Sequence, residues 1–157
     1  MKNIVLTFCM LAVSLFFSKC GNERINYSAL TNSADGVYFN GELFSGTAFE
    51  NYRNGNIHAE IEYKNGKKHG ASKIWHDNGQ LEEETTFSEG KKDGLSKEWY
   101  DNGQLKEEET YKQGEKDGTF RRWHSNGKLK SEDLYKDGDL VEKTKFWKED
   151  GTPEDFN

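Results

Sequence analysis

The sequence predicts an all-β protein: an elongated single-layer antiparallel sheet built from consecutive 24-residue β-hairpins. Three observations predict it. Trp75, Trp99, Trp123 and Trp147 stand 24 residues apart. Asn54-Gly55, Asn78-Gly79, Asn102-Gly103 and Asn126-Gly127 recur in the same phase, followed by Asp150-Gly151. Such pairs between short extended runs are the strongest local hairpin signal, because these residues tolerate φ > 0 in tight turns. The one proline, Pro153, lies near the end, so nothing blocks strand pairing across the body.

Composition agrees with a thin sheet. Of 157 residues, 32% are hydrophobic and 32% charged, and the mean hydropathy is −1.03. Globular domains carry roughly 45–50% apolar residues on a slightly wider count, so a thick central core is not expected. Aromatic residues nevertheless make up 13% of the chain, and disordered chains lack aromatics, so this polarity does not mean disorder.

Residues 1–20, "MKNIVLTFCMLAVSLFFSKC", read as an export signal. Lys2 precedes an apolar run from Ile4 to Phe17 that is too short for a membrane span; an uncleaved anchor is the alternative. "FFSKC" resembles a bacterial lipoprotein signal, which implies lipidation at Cys20 and a membrane attachment there. It departs from that pattern at Phe17, where Leu is usual, and at Lys19, where a small residue is usual. Cys9 lies inside the apolar run, so the mature chain has no pair of cysteines for a disulfide. Removing residues 1–20 takes two of the 22 basic residues, leaving 20 against 28 acidic ones, a formal −8. Residues 21–35, "GNERINYSALTNSAD", carry little pattern and read as a flexible tether, with the repeat domain over 36–157.

Within the repeat domain six series keep the 24-residue step. Besides Trp and Asn-Gly they are Ile57, Leu81, Leu105 and Leu129; Tyr63, Phe87, Tyr111 and Tyr135; Gly66, Gly90, Gly114 and Gly138; and Gly46, Gly70, Gly94 and Gly118. A fixed period of this length marks units that stack on their neighbours. A turn on Asp77-Asn78 with Gly79 left-handed sets Trp75 opposite Leu81, whereas a two-residue Asn78-Gly79 turn sets it opposite Glu82. The first is preferred, because it keeps Trp and Leu on one face. Alternation then runs Leu81, Glu83, Thr85, Phe87, which predicts that the aromatic joins the Trp/Leu stripe. "SEGKKDG" (88–94) is expected to form the return turn, and Gly94 to leave room for a ring over bare backbone. Glu60, Glu84, Glu108 and Glu132, with Lys73, Lys97, Arg121 and Lys145, predict ion-pair ladders between strands.

The unit G-x-x-x-x-W-x-x-N-G-x-L-x-x-x-x-x-Y-x-x-G-x-x-x-G, clearest from Gly70 to Asn126, resembles the MORN-type variant repeat of bacterial proteins, over about residues 36–152. Related chains carry the label YwqK-like antitoxin. The resemblance implies consecutive antiparallel hairpins in a curved or twisted sheet, and binding of protein or lipid. Both ends depart from the unit: Asn51 holds the Trp position of the first unit, and "DLVE" (139–142) and Pro153 replace the usual residues of the last. Atypical end units are expected where a stack must shield its edges.

For function, the expected contact surface is the stripe Trp75, Trp99, Trp123, Leu81, Leu105, Leu129, Tyr63, Phe87, Tyr111 and Tyr135. Asn78, Gly79, Asn102, Gly103, Asn126 and Gly127 are its structural turns. The sequence predicts no enzyme and no cofactor, since no nucleophile motif or phosphate loop occurs and the Gly-rich "GKKDG" recurs as a connection. His76 and His124 lie two units apart, about 19 Å by strand spacing, too far to share a metal ion. A chain of −8 does not suit nucleic acid or anionic headgroups. The expectation is an envelope-anchored scaffold that binds another protein, antitoxin-like in the sense of the resemblance. A lipid- or glycan-binding module is the alternative.

Overall fold

The computed structural model describes residues 23–154, so the export signal and Cys20 lie outside the described residues. Thirteen strands follow one another: β1 (Arg24–Asn26), β2 (Thr31–Ser33), β3 (Gly36–Phe39), β4 (Glu42–Leu43), β5 (Gly46–Asn51), β6 (Ile57–Lys64), β7 (Lys67–Trp75), β8 (Leu81–Ser88), β9 (Lys91–Trp99), β10 (Leu105–Lys112), β11 (Glu115–Trp123), β12 (Leu129–Lys136) and β13 (Asp139–Phe146). A 3-10 turn, Tyr27–Ala29, lies between β1 and β2. Ten strands form one sheet in the order β1-β5-β6 and then consecutively to β13. At the usual strand spacing that is a ribbon of about 43 Å. The fold is the all-β stack of antiparallel hairpins that the repeat predicts, with one parallel pair at its edge, β1 on β5.

Two turn types alternate along the ribbon. At the Asn-Gly tips the His76 carbonyl accepts from Gly79 N–H (2.9 Å), and the Gln80 carbonyl accepts from His76 N–H (2.8 Å). Gly79 has φ +85°, while Asn78 is not left-handed, so this is the turn on Asp77-Asn78 inferred from the sequence. Trp75 accordingly pairs with Leu81, Trp99 with Leu105, and Trp123 with Leu129. The return connection is shorter than expected. Glu89 and Gly90 alone turn the chain, with φ of 49° and 84°, as in the two-residue hairpin turn whose twist matches its strands. "KKDG" already belongs to β9.

A β-bulge follows every tip and corrects the face assignment. Trp75 pairs with Leu81 but Ile74 pairs with Glu83, leaving Glu82 as an extra residue. Beyond it Phe87 lies opposite Gly70, on the face of Ser72 and Ile74, whereas Trp75 alternates onto the face of Ala71 and Lys73. The single stripe expected from alternation is therefore two. Trp75, Trp99, Trp123, Leu81, Leu105 and Leu129 lie on one face, and Tyr63, Phe87, Tyr111 and Tyr135 on the other. Gly94 does stand opposite Tyr111, but its Cβ would meet the Thr86 side chain at 3.3 Å with φ at +112°. The glycine makes room for the neighbouring strand's threonine, not for the ring.

The stretch expected as a tether is folded from residue 23 onward. β1 pairs with β5, while β2, β3 and β4 form a second small sheet. Residues 27–45 supply the long crossover that a parallel pair requires. Val37, Phe44, Ala48 and Tyr63 form a buried cluster, with Ile25, Tyr27, Leu30, Phe39 and Ile61 against it. Phe44 meets Phe39 edge-on and Tyr63 at 5.9 Å between ring centres. This core covers the first hairpin on the tyrosine face, and it makes the N-terminal end of the ribbon two layers deep.

Candidate interaction surface

The tips are held to one another by side-chain ladders. Each tip asparagine accepts a hydrogen bond from the N–H two residues on: Asn56 to Asn54 at 2.9 Å, Gln80 to Asn78 at 2.9 Å, Gln104 to Asn102 at 3.0 Å, Lys128 to Asn126 at 3.0 Å. Each also donates its Nδ2 to a carbonyl of the next tip: Asn54 to Asp77 (3.3 Å), Asn78 to Asp101 (3.5 Å), Asn102 to Ser125 (3.0 Å) and Asn126 to Glu149 (2.8 Å). A second ladder runs beneath. Tyr52 Oη donates to the Trp75 carbonyl (2.7 Å), Tyr100 Oη to that of Trp123 (2.8 Å), and His124 Nε2 lies 2.9 Å from that of Trp147. His76, the remaining member, has a buried Nε2 without a partner. Asp150 keeps the local turn bond, accepting from Thr152 N–H at 2.8 Å. The Thr152 hydroxyl, and then that bond, hold its carboxyl below the ordinary aspartate value. A carboxylate has no hydrogen to donate onward.

The tryptophan face is regular. Lys73 pairs with Glu84 (3.1 Å), Lys97 with Glu108 (3.1 Å), and Arg121 with Glu132 (2.7 Å), as the ladder predicts. Arg24 of the edge strand meets Glu60 at 2.5 Å. Exposed pairs of this kind contribute about 0–1 kcal/mol each. The Trp rings are partly covered; the exposed large hydrophobic side chains are Leu43, Leu95, Leu140 and Val141. The stripe expected as one contact surface is thus divided between the two faces, with its tryptophans and leucines here.

The tyrosine face is the more enclosed. Thr85 is 0% exposed and Ser131 2%. In a one-layer sheet this requires neighbouring side chains on the same face to close over them. Lysines lie over the aromatics: Lys68 Nζ is 5.0 Å from the Phe87 ring centre, Lys92 4.9 Å from Tyr111, and Lys116 5.1 Å from Tyr135. Tyr111 Oη donates to Glu109 at 2.5 Å; burial first and then this bond hold its phenol far above the ordinary value. Burial and the neighbouring Tyr27 push the Tyr63 phenol up to about 12.

Between these aromatics and the tips the repeat breaks its symmetry. The four 24-step positions there read Glu50, Ile74, Glu98 and Arg122; Ala59, Glu83, Glu107 and Ser131; Ile61, Thr85, Glu109 and Asp133; Ala48, Ser72, Ser96 and Phe120. The register brings Glu98 directly opposite Glu83 on one side and Glu107 on the other. Like charges directly opposed destabilise a sheet. Around them lies a cleft of 110 Å³ lined by Glu83, Lys92, Ser96, Lys97, Glu98, Glu107 and Glu109. Arg122 Nε meets Glu107 at 2.9 Å, and Lys116 meets Glu109 at 3.2 Å. Burial, then Glu109, raises the Glu107 carboxyl above its ordinary value, against the lowering effect of Arg122. Sequence reasoning missed this group by attending to what repeats. The signal was the set of positions at which an otherwise strict repeat varies.

Among the described residues no cluster of three or more His, Cys, Asp or Glu could hold a metal ion, and no helix is long and apolar enough to cross a membrane. His58, His69 and His76 each lie 3.5–3.6 Å from a different glutamate, Glu50, Glu89 and Glu82. A comparison with curated proteins gives no significant match. Comparison with known families finds four consecutive matches to the MORN repeat variant, at residues 44–65, 68–89, 92–113 and 116–137. These segments coincide with the hairpin units and cover more than half of the chain, which therefore belongs to the MORN repeat variant family.

Proposed function

We propose that this chain is a non-enzymatic scaffold that binds another protein through its tyrosine face. The observation that supports this most is the convergence there of the unit-specific side chains. Glu83, Glu98, Glu107 and Glu109, flanked by Phe87 and Tyr111, collect on one side of the sheet, while the tryptophans and the Lys/Arg–Glu ladder repeat on the other. Repeat ribbons bind through such extended surfaces, with the common residues building the stack and the variable ones setting recognition. Glu98, Glu107 and Glu109 are each held by a cation, Lys106 at 2.6 Å, Arg122 at 2.9 Å and Lys116 at 3.2 Å, so the acidic row is a fixed array that a partner can read.

The readings of residues 1–20 complete the proposal. Lipidation at Cys20 would hold the ribbon at the envelope, on the outer membrane if the cell has one. An antitoxin-like role in that compartment would require a toxin that acts there. Two experiments test these points separately. Capture from the envelope fraction should recover a stoichiometric protein partner with the wild-type chain and with Lys73→Glu on the tryptophan face. The double variant Glu98→Lys, Glu107→Lys should lose it. Equal recovery by both variants would remove the tyrosine face as the contact, and flotation of the chain lacking residues 1–20 with liposomes would favour a lipid-binding module. Radiolabelled palmitate should enter the wild type and not Cys20→Ser; equal labelling would remove the lipid anchor.

A further inference from the structure

The chain contains six Asn-Gly pairs, at Asn40, Asn54, Asn65, Asn78, Asn102 and Asn126. Asn-Gly is the dipeptide in which a backbone nitrogen most easily reaches the side-chain amide before it, because glycine has no side chain to block the approach. The reaction needs a free nucleophile and a free electrophile. The folded chain withholds these from five of the pairs in two different ways.

At Asn54, Asn78, Asn102 and Asn126 the amide is held at both ends, by the N–H two residues on and by the carbonyl of the next tip. The nitrogen of the following glycine is also engaged: Gly55, Gly79, Gly103 and Gly127 each donate within the turn at 2.8–2.9 Å. At Asn65 the protection is on the glycine. Gly66 is buried and its N–H donates to the Phe44 carbonyl at 2.8 Å. An atom placed as its Cβ would lie 3.1 Å from the Val37 nitrogen.

Asn40-Gly41 has neither protection. Both residues are exposed; among the described residues nothing beyond the adjoining chain lies within 4 Å of the Gly41 Cβ direction, and no hydrogen bond engages the Asn40 amide or the Gly41 N–H. Asn40 also holds φ +51°. β4 has two residues, paired to β3 through Tyr38–Leu43 and Phe39–Glu42, and Phe44 N–H donates to the Val37 carbonyl at 2.9 Å beyond them, so it is the exposed tip, not the hairpin base, that opens locally.

We infer that Asn40 is a site of spontaneous deamidation in the folded protein, and that the tip ladder shields Asn54, Asn78, Asn102 and Asn126 from the same chemistry. The Gly41 nitrogen gives up its proton to hydroxide and attacks Asn40 Cγ; the new N–Cγ bond closes a succinimide as the Cγ–Nδ2 bond breaks and Nδ2 takes a proton from water to leave as ammonia. Water then opens the ring at either carbonyl, giving aspartate or isoaspartate with no oxidant or cofactor. The product adds a negative charge beside Glu42 at the tip of the hairpin whose Val37 and Phe44 belong to the N-terminal core.

The test is peptide mapping by mass spectrometry of the full chain held in mildly alkaline buffer, with isoaspartate resolved from aspartate, once folded and once in concentrated urea. In the folded chain Asn40 should convert at least about tenfold faster than any of the other five, because conversion there needs only local opening. In urea the six rates should draw together, and Asn40→Gln should remove the early product from the folded chain. Conversion of any tip asparagine as fast as Asn40 in the folded protein, or an intact Asn40 while others convert, would overturn the inference. So would a spread of rates in urea as wide as in buffer, which would place the selectivity in the local sequence.

Discussion

His76→Tyr should stabilise this protein. Its position belongs to the ladder in which Tyr52 and Tyr100 donate to the carbonyl of the next tryptophan at 2.7 and 2.8 Å, and His124 fills the same place at 2.9 Å. His76 Nε2 is buried and makes no such bond. An unsatisfied buried polar atom costs about 1–3 kcal/mol, and a made hydrogen bond contributes about 0.5–1.5 kcal/mol net. A tyrosine fits, since two of the four units already carry one in the same setting. The substitution loses the 3.5 Å pairing of His76 with Glu82, a partly exposed contact of about 0–1 kcal/mol. The expected net gain is therefore about 1–3 kcal/mol. Urea unfolding followed by tryptophan fluorescence measures it as a raised midpoint at unchanged slope. His76→Phe removes the unsatisfied nitrogen without making the bond, so it should fall short of His76→Tyr by about 0.5–1.5 kcal/mol. Equal midpoints for Tyr and Phe, or a fall for Tyr, would refute the ladder as the source.

Three further outcomes follow from the same geometry. Asn102→Asp keeps the local turn acceptor but removes the donor to Ser125 and sets a carboxylate against that carbonyl, so unfolding should shift by about 1 kcal/mol; Asp150→Asn, at the end of the ladder, should stay near the wild type. Gly118→Ala places a Cβ 3.1 Å from Thr110 Cβ at φ +125°, and thermal unfolding should show a loss of about 1–3 kcal/mol. The Glu107 carboxyl is raised above its unfolded value by burial and Glu109. In the window just above pH 4.5 the folded state thus binds more protons than the unfolded one, and stability falls as pH rises through it. Glu107→Gln should flatten that part of the stability–pH curve, and an unchanged curve would remove Glu107 as its cause.

Much of the fold was legible before any coordinates. The period, the strands, the Trp–Leu register and the tip turn all rest on chemistry local to a few residues: Asn at a turn, glycine with φ > 0, apolar residues at a fixed step. The ion-pair ladder of Lys73, Lys97 and Arg121 was readable for the same reason, since equivalent residues of neighbouring strands lie side by side. The candidate surface was less legible. Tyr63, Phe87, Tyr111 and Tyr135 could be picked out as a row, but their face could not. Glu83, Glu98, Glu107 and Glu109 carried no motif until the register set them in line.

The sequence by itself determined a stack of hairpins and how each one turns, because a repeat writes the same local instructions at every step. Only the tertiary structure decided which residues share a face. The bulge that leaves Glu82 unpaired reverses the alternation between Leu81 and Phe87, and a bulge exists only once two strands have chosen a register. Only the tertiary structure, too, turned residues 23–35 from patternless chain into part of a cap. Val37 and Phe44 are far in sequence from Tyr63, and the reward for bringing them together is the apolar area that the first hairpin would otherwise leave in water.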